Sequence, residues 1–588
     1  MAVALTMARM KVSLLRHSLK GPMTSTGVLL GVLLAGWTLY LALTADPAVL
    51  AGAYAVWMLG WMLGPLFMGG GDESLRPEHF SLLGIKSHRL AGGLLVAAFI
   101  GLAPLISLVA SLGLVISGVR QGPAGALTAV IAIVLQLALF VLVSRVAVAL
   151  LGLALRSRLG TVGAGLLNGA ILGALCQIWV FLALFDQSGV PQLVWQLPSG
   201  WGLLAVSGEP GRLVALAVLD LVLLGAWAAL LSRRSGAPRT SGRPRRAVTA
   251  HGALGGVFAK ELRTWTRDLV RNYQVIFSLS FGVCFGASPL LLGWDGMLPY
   301  AGPIFVVMAA SLTSNLYGSD GTALWLTLLT PGASDVRGRQ LAWLAAVGPA
   351  AAVVTVVTAA VAGGPWPLVL ALLAAMLGGA AGLIPLVSVY GLVPGTDPHR
   401  RGGNPLRVSD DNGGLTGLAY LMLALVVASG VPAGLVALSY GWAGVPVGLA
   451  TGFLSAWGLG LLAERRLRER GVELLQAMRT GRRVPVLTAA GPPQGVRTLP
   501  KTAPPPLAAL FFLLGAIPLF PQGIVAGIFV ASGVEGQSWF LATYLAPGLR
   551  WPAVGGMVLL GLILFGVAAR QTASARRRGR ALPHSRSA

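Results

Sequence analysis

Long runs of apolar residues, separated by short polar segments, follow one another from end to end of the chain. An apolar run of about 18 or more residues is long enough to cross the roughly 30 Å hydrocarbon core of a bilayer as a helix. The pattern therefore predicts an all-α polytopic membrane protein with about fourteen transmembrane helices. The predicted spans are residues 26–44, 49–69, 91–116, 124–153, 161–185, 212–231, 273–293, 300–317, 340–362, 366–392, 415–439, 441–463, 507–532 and 550–570.

The composition excludes a soluble multidomain protein. Of the 588 residues, 55% are hydrophobic and only 11% are charged, which leaves too little polar surface for soluble domains of this total size. The net charge of +24 would point to nucleic acid in a soluble protein. Here it follows the positive-inside bias of membrane proteins, so we expect the lipid bilayer and not nucleic acid as the surrounding partner.

The distribution of basic residues predicts the orientation. With the N-terminus inside, almost all Lys and Arg residues fall on the cytoplasmic side; Arg120, Arg212 and Arg550 fall outside and Arg145 lies within a span. We expect a multi-pass protein of the bacterial cytoplasmic (inner) membrane with both termini in the cytoplasm. The basic N-terminus precedes an apolar stretch that we interpret as an uncleaved first span.

The spans form two groups of six and a final pair. A Pro-, Gly- and Arg-rich linker separates the two groups, and such a composition is typical of flexible connections. The predicted organisation is a first six-helix half with its leading helix at 1–231, a cytoplasmic linker at 232–255, a second six-helix half at 256–464, a cytoplasmic segment at 465–506, an additional transmembrane pair at 507–570 and a basic tail at 571–588.

An amphipathic segment precedes the first span of each half. In the second segment, Trp265 lies on the apolar face of the helical wheel and basic residues occupy the opposite face. This pattern predicts a helix in the membrane interface with its apolar side toward the bilayer. The basic residues of the two segments are Arg9, Arg16, Lys20, Lys260, Arg263, Arg267 and Arg271.

A short segment with an acidic start and an apolar turn follows the second span of each half. The acidic residue is suited to the N-terminus of a helix. Apolar side chains outside the spans indicate a docking surface. The candidate residues are Asp72, Phe80, Leu82 and Leu83 in the first half and Asp320, Leu324, Trp325 and Leu328 in the second.

Together these features resemble the type-two ATP-binding-cassette (ABC) exporter permeases, in the fused form in which one chain carries both six-helix halves. The resemblance implies an interfacial elbow helix before each half, a coupling helix between the second and third spans, and a long outer loop between the fifth and sixth. An inner loop also resembles that of actinobacterial-type members. The matching segments are 9–20 and 260–271 for the elbows, 72–83 and 320–330 for the coupling helices, 186–211 for the outer loop and 395–414 for the inner loop.

The resemblance implies a permease subunit that exports a substrate with energy from two copies of a separate ATPase. ATP binding requires a phosphate loop that ends in Gly-Lys-Ser or Gly-Lys-Thr, and none of the five lysines follows a glycine. We therefore expect no enzyme activity, catalytic residue, metal or cofactor in this chain, with ATP and Mg²⁺ on the partner subunit. The apolar spans favour a small hydrophobic or lipid-like substrate.

Two charged residues lie inside predicted spans. Asp220 lies near the middle of the sixth span and Arg145 within the fourth. A charge at the bilayer centre costs about 2.5–3.5 kcal/mol or more, so both are candidates for the translocation pathway. The alternatives are a hydrogen-bonded helix contact for Asp220 and extension of Arg145 toward the interface. A proton-coupled secondary transporter that uses Asp220 is the alternative function.

Small residues recur at four-residue spacing in several spans, as at Gly165, Gly169 and Gly173. Such spacing lets two helix backbones approach closely. We expect this stripe to form a helix–helix contact.

Overall fold

The computed structural model of the chain describes residues 2–18, 22–67, 87–154, 157–235, 250–329, 335–394, 414–480, 511, 514–515, 517–531, 533 and 540–581. Within these ranges the ordered elements are helices, and no strand occurs. Eleven of the described helical stretches are long and apolar enough to cross a membrane, and one of them, Gly414–Thr480, contains two helices. The predicted all-α polytopic membrane protein is confirmed, and the number of fourteen spans stays a prediction.

The helices of the first half alternate long spans with short connecting elements. They are α1 (Ala2–Ser18), α2 (Pro22–Thr44), α3 (Pro47–Phe67), α4 (Ser87–Phe99), α5 (Leu102–Ser111), α6 (Gly113–Arg120), α7 (Pro123–Ala154), α8 (Arg158–Cys176), α9 (Ile178–Ser188), α10 (Leu193–Gln196), α11 (Pro198–Val206) and α12 (Gly211–Ser235).

The second half and the C-terminal region continue the all-helical pattern. Their helices are α13 (Gly252–Arg267), α14 (Leu269–Ala287), α15 (Ala301–Leu312), α16 (Leu316–Asp320), α17 (Leu324–Leu329), α18 (Asp335–Val361), α19 (Trp366–Tyr390), α20 (Gly414–Tyr440), α21 (Gly444–Thr480), α22 (Ala526–Ala531), α23 (Leu541–Tyr544) and α24 (Pro547–Ala581). A π-helical turn at Phe520–Val525 precedes α22.

Three predicted spans are interrupted, and the one at 300–317 breaks between α15 and α16. The span predicted at 91–116 is divided at Gly101, whose backbone is fully extended, and the apolar stretch long enough to cross is Leu102–Arg120. Pro104 in the first turn of α5 lacks an amide hydrogen, which suits the start of a helix. The span predicted at 161–185 breaks at Gln177, between α8 and α9. Sequence hydropathy does not register such breaks, because the residues on both sides remain apolar.

Helix α7 is the centre of the first half. Helices α3, α6, α11 and α12 pack around it. The segment predicted as a long outer loop folds back on this bundle through α10 and α11, where Ser199 and Leu203 are fully buried. The outer segment is therefore part of the core of the first half.

The two halves meet along α8 and α14, which run parallel to each other. A β-carbon on Gly165 would lie 3.1 Å from Ile276, one on Gly173 would lie 2.8 Å from the carbonyl oxygen of Phe281, and one on Gly169 would overlap the carbonyl oxygen of Phe277. The predicted helix–helix contact of this glycine stripe is confirmed.

Polar bonds also cross this contact between the halves. The Ser280 hydroxyl donates to the carbonyl oxygen of Leu166 at 2.6 Å, and the Asn168 amide donates to the Tyr273 hydroxyl at 2.9 Å. Donors that find acceptors across the contact avoid the cost of buried, unpaired polar groups.

We call the side of the bundle where α13 leads into α14 the near side, and the opposite side, which includes Trp442 between α20 and α21, the far side. The positive-inside prediction assigns the near side to the cytoplasm. On the near side, α21 continues past the predicted end of its span at residue 463 to Thr480, with a bend at Arg470.

Candidate functional site

A short apolar helix, α17, projects on the near side between the spans α15 and α18. Gly321 has a positive φ of 59°, a conformation open to glycine at little cost, and this turn directs the chain into α17. Trp325, Leu326 and Leu329 are 47%, 52% and 72% exposed. We call these three residues the docking surface, because exposed apolar groups grouped on one short element mark an interaction site.

The opposite face of α17 is buried. Leu324 is only 1% exposed and packs in a cluster with Val389, Leu467 and Met478, and Leu328 packs against the same cluster. The burial of Leu324 contradicts its predicted contact with a partner, whereas the contact predicted for the partly exposed Leu328 stays a prediction. A six-residue helix needs one face buried to stay in place, and these two leucines supply it.

Asp320, at the base of α17, takes part in ion pairs and does not cap a helix. Its carboxylate accepts a hydrogen bond from Arg339 of α18, lies 3.5 Å from the Arg271 guanidinium of α14 and lies 3.9 Å from the Lys260 ammonium of α13. The predicted helix-capping role is wrong, because no side-chain cap bond forms at this turn. Asp320 instead joins the base of the docking surface to three other helices.

Glu261 of α13 is the second acidic centre of this site. Its carboxylate lies 2.8 Å from Arg271, 3.1 Å from Arg339 and 3.3 Å from Lys260. The side chains of Glu261, Arg271 and Arg339 are 1%, 6% and 0% exposed. Buried charges are tolerated only when they are paired, and here each arginine bridges at least two carboxylates.

Asp335 and Tyr317 complete the group. The Arg339 Nε atom donates to Asp335 at 2.8 Å, and the Tyr317 hydroxyl donates to the same carboxylate at 2.8 Å. The guanidinium of Arg339 also lies 4.5 Å from the centre of the Tyr317 ring, a distance favourable for a cation–π contact. We call the following seven residues the charge cluster: Lys260, Glu261, Arg271, Tyr317, Asp320, Asp335 and Arg339.

The electrostatics of the cluster favour its ionised form. Burial raises the pKa of Glu261, but the positive charges of Arg339, Arg271 and Lys260 outweigh burial and hold this pKa at about 2.

The sequence located part of this site. Asp320, Lys260 and the exposed Trp325 were identified, whereas Glu261, Tyr317, Asp335 and Arg339 were not. Two signals were present: Glu261 is an acid on the apolar face of its amphipathic segment, and Asp335 precedes Arg339 by four residues at the start of a span.

The second elbow segment differs from the prediction in two ways. Its helix ends at Arg267, and Arg271 is a buried residue of α14 instead of an exposed elbow residue, because Asp268 breaks the helix and caps α14 through the Val270 amide. Trp265 was expected to face the bilayer but is 5% exposed in the largest core cluster, since α13 packs on α18. Lys260 and Arg267 are exposed and Arg263 is half-buried.

The matching segments of the first half lie partly outside the described residues. The candidate coupling residues Asp72, Phe80, Leu82 and Leu83 lie outside the described residues, as does Lys20. Arg9 is exposed on α1. Arg16 lies within the same helix, whose Met7 packs in a cluster with Leu94 and Trp227.

The two intramembrane charges have different surroundings. Asp220 of α12 is 7% exposed, and neither carboxylate oxygen has a hydrogen-bond partner among the described residues. Arg145 of α7 is half-buried and does have an interaction partner. The structure does not bring these two residues into an ion pair with each other, in keeping with their different depths.

Among the described residues, no group of three or more His, Cys, Asp or Glu side chains has the arrangement of a metal site. Comparisons of the chain with protein-family models, with curated proteins and with solved structures give no match. The inference of function therefore depends on the docking surface and the charge cluster.

Proposed function

We propose that this multi-pass membrane protein is the permease subunit of an ABC exporter, driven by two copies of a separate ATPase that carries ATP and Mg²⁺. The observation that carries this proposal is the docking surface, whose base is bound by the charge cluster to α13, α14 and α18. An exposed apolar helix that is rigidly connected to several spans can be moved by a bound partner and can transmit that movement to the spans.

The connection is strong because buried ion pairs resist separation. Pulling Asp320 away from Arg339 would leave a guanidinium that is 0% exposed without one of its carboxylates, and breaking such a buried pair costs about 3–5 kcal/mol. Movement of α17 by a partner is therefore accompanied by movement of α13, α14 and α18. In this proposal, ATP-driven movement of α17 changes the access of a central pathway between the two sides.

The remaining parts of the proposal follow from the sequence pattern. The chain lies in the bacterial cytoplasmic membrane with both termini in the cytoplasm, and the near side faces the ATPase subunits. The substrate is a small hydrophobic or lipid-like molecule, and the chain itself has no enzyme activity and no nucleic-acid partner. The elbow role of α1 and α13 belongs to the same proposal.

The test is replacement of Trp325 by glutamate. The protein is extracted in a mild detergent and purified through a tag, and the co-purified fraction is assayed for vanadate-sensitive ATP hydrolysis. We expect the wild-type chain to carry an ATPase at two copies per chain. The Trp325→Glu chain should lose that activity at least tenfold while its thermal unfolding is unchanged, because a charge is placed on an exposed surface.

Trp442→Glu is the matched control. Trp442 is 62% exposed on a short helical turn at the far side, so it presents an equally accessible indole away from the docking surface. The control should retain the ATPase. Equal ATPase retention by both variants, or substrate pumping by the purified chain alone, would rule out the proposal.

Asp220 supports a second candidate, a proton-coupled secondary transporter. A buried carboxylate without hydrogen-bond partners among the described residues, in the middle of a span, is the kind of group that exchanges protons with a transport pathway. In proteoliposomes with an imposed pH gradient, Asp220→Asn should abolish efflux of a lipophilic fluorescent dye. Efflux that requires ATP and is unchanged in Asp220→Asn would exclude this candidate.

A further inference from the structure

The C-terminal region forms a compact helical hairpin. Its first arm comprises residues 517–531 and its second arm is α24, and α23 lies between them. A β-carbon on Gly561 would lie 2.6 Å from Leu519, and one on Gly523 would lie 2.7 Å from Val558. Because the arms touch through glycines with no room for a side chain, the hairpin is expected to move as one body.

The hairpin contacts the rest of the described chain through an apolar cluster that contains four aromatic side chains. Phe529 of α22 and Phe540, next to α23, are each 1% exposed. They meet Trp179 of α9 and Trp294, which follows α14. We call these four residues the far-side aromatic cluster. Among the described residues, the helix backbones of the hairpin pack closely on each other and make no comparably broad packing with the two halves.

The rings of this cluster come from three parts of the molecule: the hairpin, the first half and the second half. The ring centre of Phe529 lies 4.4 Å from Trp294 of the second half and 5.3 Å from Trp179 of the first half. Phe540 lies 5.3 Å from Trp179 and 4.7 Å from Phe529. Aromatic pairs at these separations attract each other beyond the effect of their burial. The hairpin thus bridges the two halves.

The cluster is connected to the contact between the halves. The Trp179 indole donates to the Gln177 side chain at 2.6 Å, and the Gln177 amide donates to the carbonyl oxygen of Phe285 in α14 at 3.1 Å. Gln177 is 1% exposed and lies at the far-side end of α8. The aromatic rings therefore support the last hydrogen bond that joins α8 to α14.

We propose that the C-terminal hairpin is a strap that limits separation of the two halves on the far side, attached through the far-side aromatic cluster. Because the hairpin packs on itself and is attached through the far-side aromatic cluster, it can separate from the two halves without disrupting its own structure. The same feature explains why the chain continues beyond its two six-helix groups. This inference does not depend on the ATPase proposal, because it concerns only contacts within the chain.

The test measures the distance between the halves on the far side. In a full-length chain with Cys176→Ser and Cys284→Ser, spin labels are placed at Leu193→Cys and Leu291→Cys, which are 64% and 55% exposed in the first and second halves. Distances are measured by pulsed electron spin resonance in lipid nanodiscs. We expect Phe529→Ala to shift the distribution to longer distances and to broaden it.

Three comparisons make this result specific. Ile563→Ala, at a 52% exposed position of α24, should leave the far-side distribution unchanged. Labels at Leu159→Cys and Leu254→Cys, on the near side, should report no change in Phe529→Ala. Phe529→Leu, which keeps most of the apolar volume but removes the ring, should give the same far-side shift to a smaller extent and serves if the alanine variant does not fold. An unchanged far-side distribution in a folded Phe529 variant would overturn the proposal.

Discussion

At the scale of single residues, the arginines of the charge cluster explain how charges remain buried in this protein. Arg339 touches three carboxylates and the ring of Tyr317, so its guanidinium has partners on several sides. Arg271 similarly lies 5.1 Å from the Trp265 ring and pairs with Glu261. A guanidinium offers five donors in a planar arrangement, which an ammonium cannot imitate.

Removal of one acidic member should destabilise the whole protein. Glu261→Gln removes one carboxylate partner from each of two buried arginines, and we expect a loss of about 3–5 kcal/mol of stability. The measurement is unfolding in a fixed detergent, followed by circular dichroism. Glu469→Gln is the control, because Glu469 pairs with Arg465 on the exposed surface and such pairs contribute little. Equal stability of both variants would show that the cluster is not a stabilising unit.

The pKa of Glu261 predicts the pH at which this stabilisation is lost. Its native value of about 2 lies below the ordinary value of 4.5, so the native state favours the ionised form more than the unfolded state does. The stabilisation is complete above about pH 4.5 and declines as the pH falls toward 2. The difference in unfolding temperature between wild type and Glu261→Gln should therefore shrink across this interval, and a constant difference would contradict the prediction.

At this scale the sequence was only partly informative. Trp325 was correctly expected to be exposed, because an apolar residue outside a span was visible in the pattern. Leu324 was assigned to the wrong face, because a segment of six residues gives too little periodicity to separate its two sides. The meeting of Glu261, Asp320 and Arg339 depends on the packing of three separate helices, which no local pattern records.

At the scale of elements, the contact of α8 with α14 shows how glycine spacing decides helix packing. Gly165, Gly169 and Gly173 were predicted as a contact stripe from spacing alone, and the partner helix became known only from the structure. The stripe faces the other half of the chain. The sequence thus predicted the kind of contact, while the identity of the partner depends on the arrangement of all the spans.

Substitution of Gly169 should therefore separate the two halves. A leucine side chain would overlap the carbonyl oxygen of Phe277, a backbone atom that cannot rotate away. We expect Gly169→Leu to destabilise the protein by about 1–3 kcal/mol or more, the range typical of overpacking. Gly163→Leu is the matched control in the same helix, because a β-carbon there meets nothing within 4 Å. The stabilities of both variants are compared by thermal unfolding, and an equal loss of stability in both would contradict the packing role of the glycine stripe.

At the scale of the whole molecule, the predicted orientation determines which side the docking surface faces. The start of α13 and the end of α21 share the near side with α17, and the positive-inside pattern predicts that this side faces the cytoplasm. The all-α polytopic architecture and the apolar character of the spans could be deduced from sequence, because each span must satisfy its own backbone within the bilayer. The breaks at Gly101 and Gln177 could not be deduced, because they depend on local backbone geometry.

Labelling with a membrane-impermeant maleimide tests this orientation. In the chain with Cys176→Ser and Cys284→Ser, a cysteine at Trp442 on the far side should react in intact cells. A cysteine at exposed Thr480 on the near side should react only after the membrane is permeabilised. The reverse labelling pattern would place the docking surface outside the cell and would remove any access to cytoplasmic ATPases.

The long helix α21 has a mechanical consequence. From Gly444 to Arg470 it rises about 40 Å at 1.5 Å per residue, and its Gly448 and Gly452 lie directly against the backbone of α19. Leu467, toward the near-side end of α21, packs in the same apolar cluster as Leu324. A rod of that length that tilts by about 10° displaces its end by about 7 Å. A small tilt of α21 about its far-side end would therefore move its near-side end, beneath Trp325, by more than the rise of one helical turn.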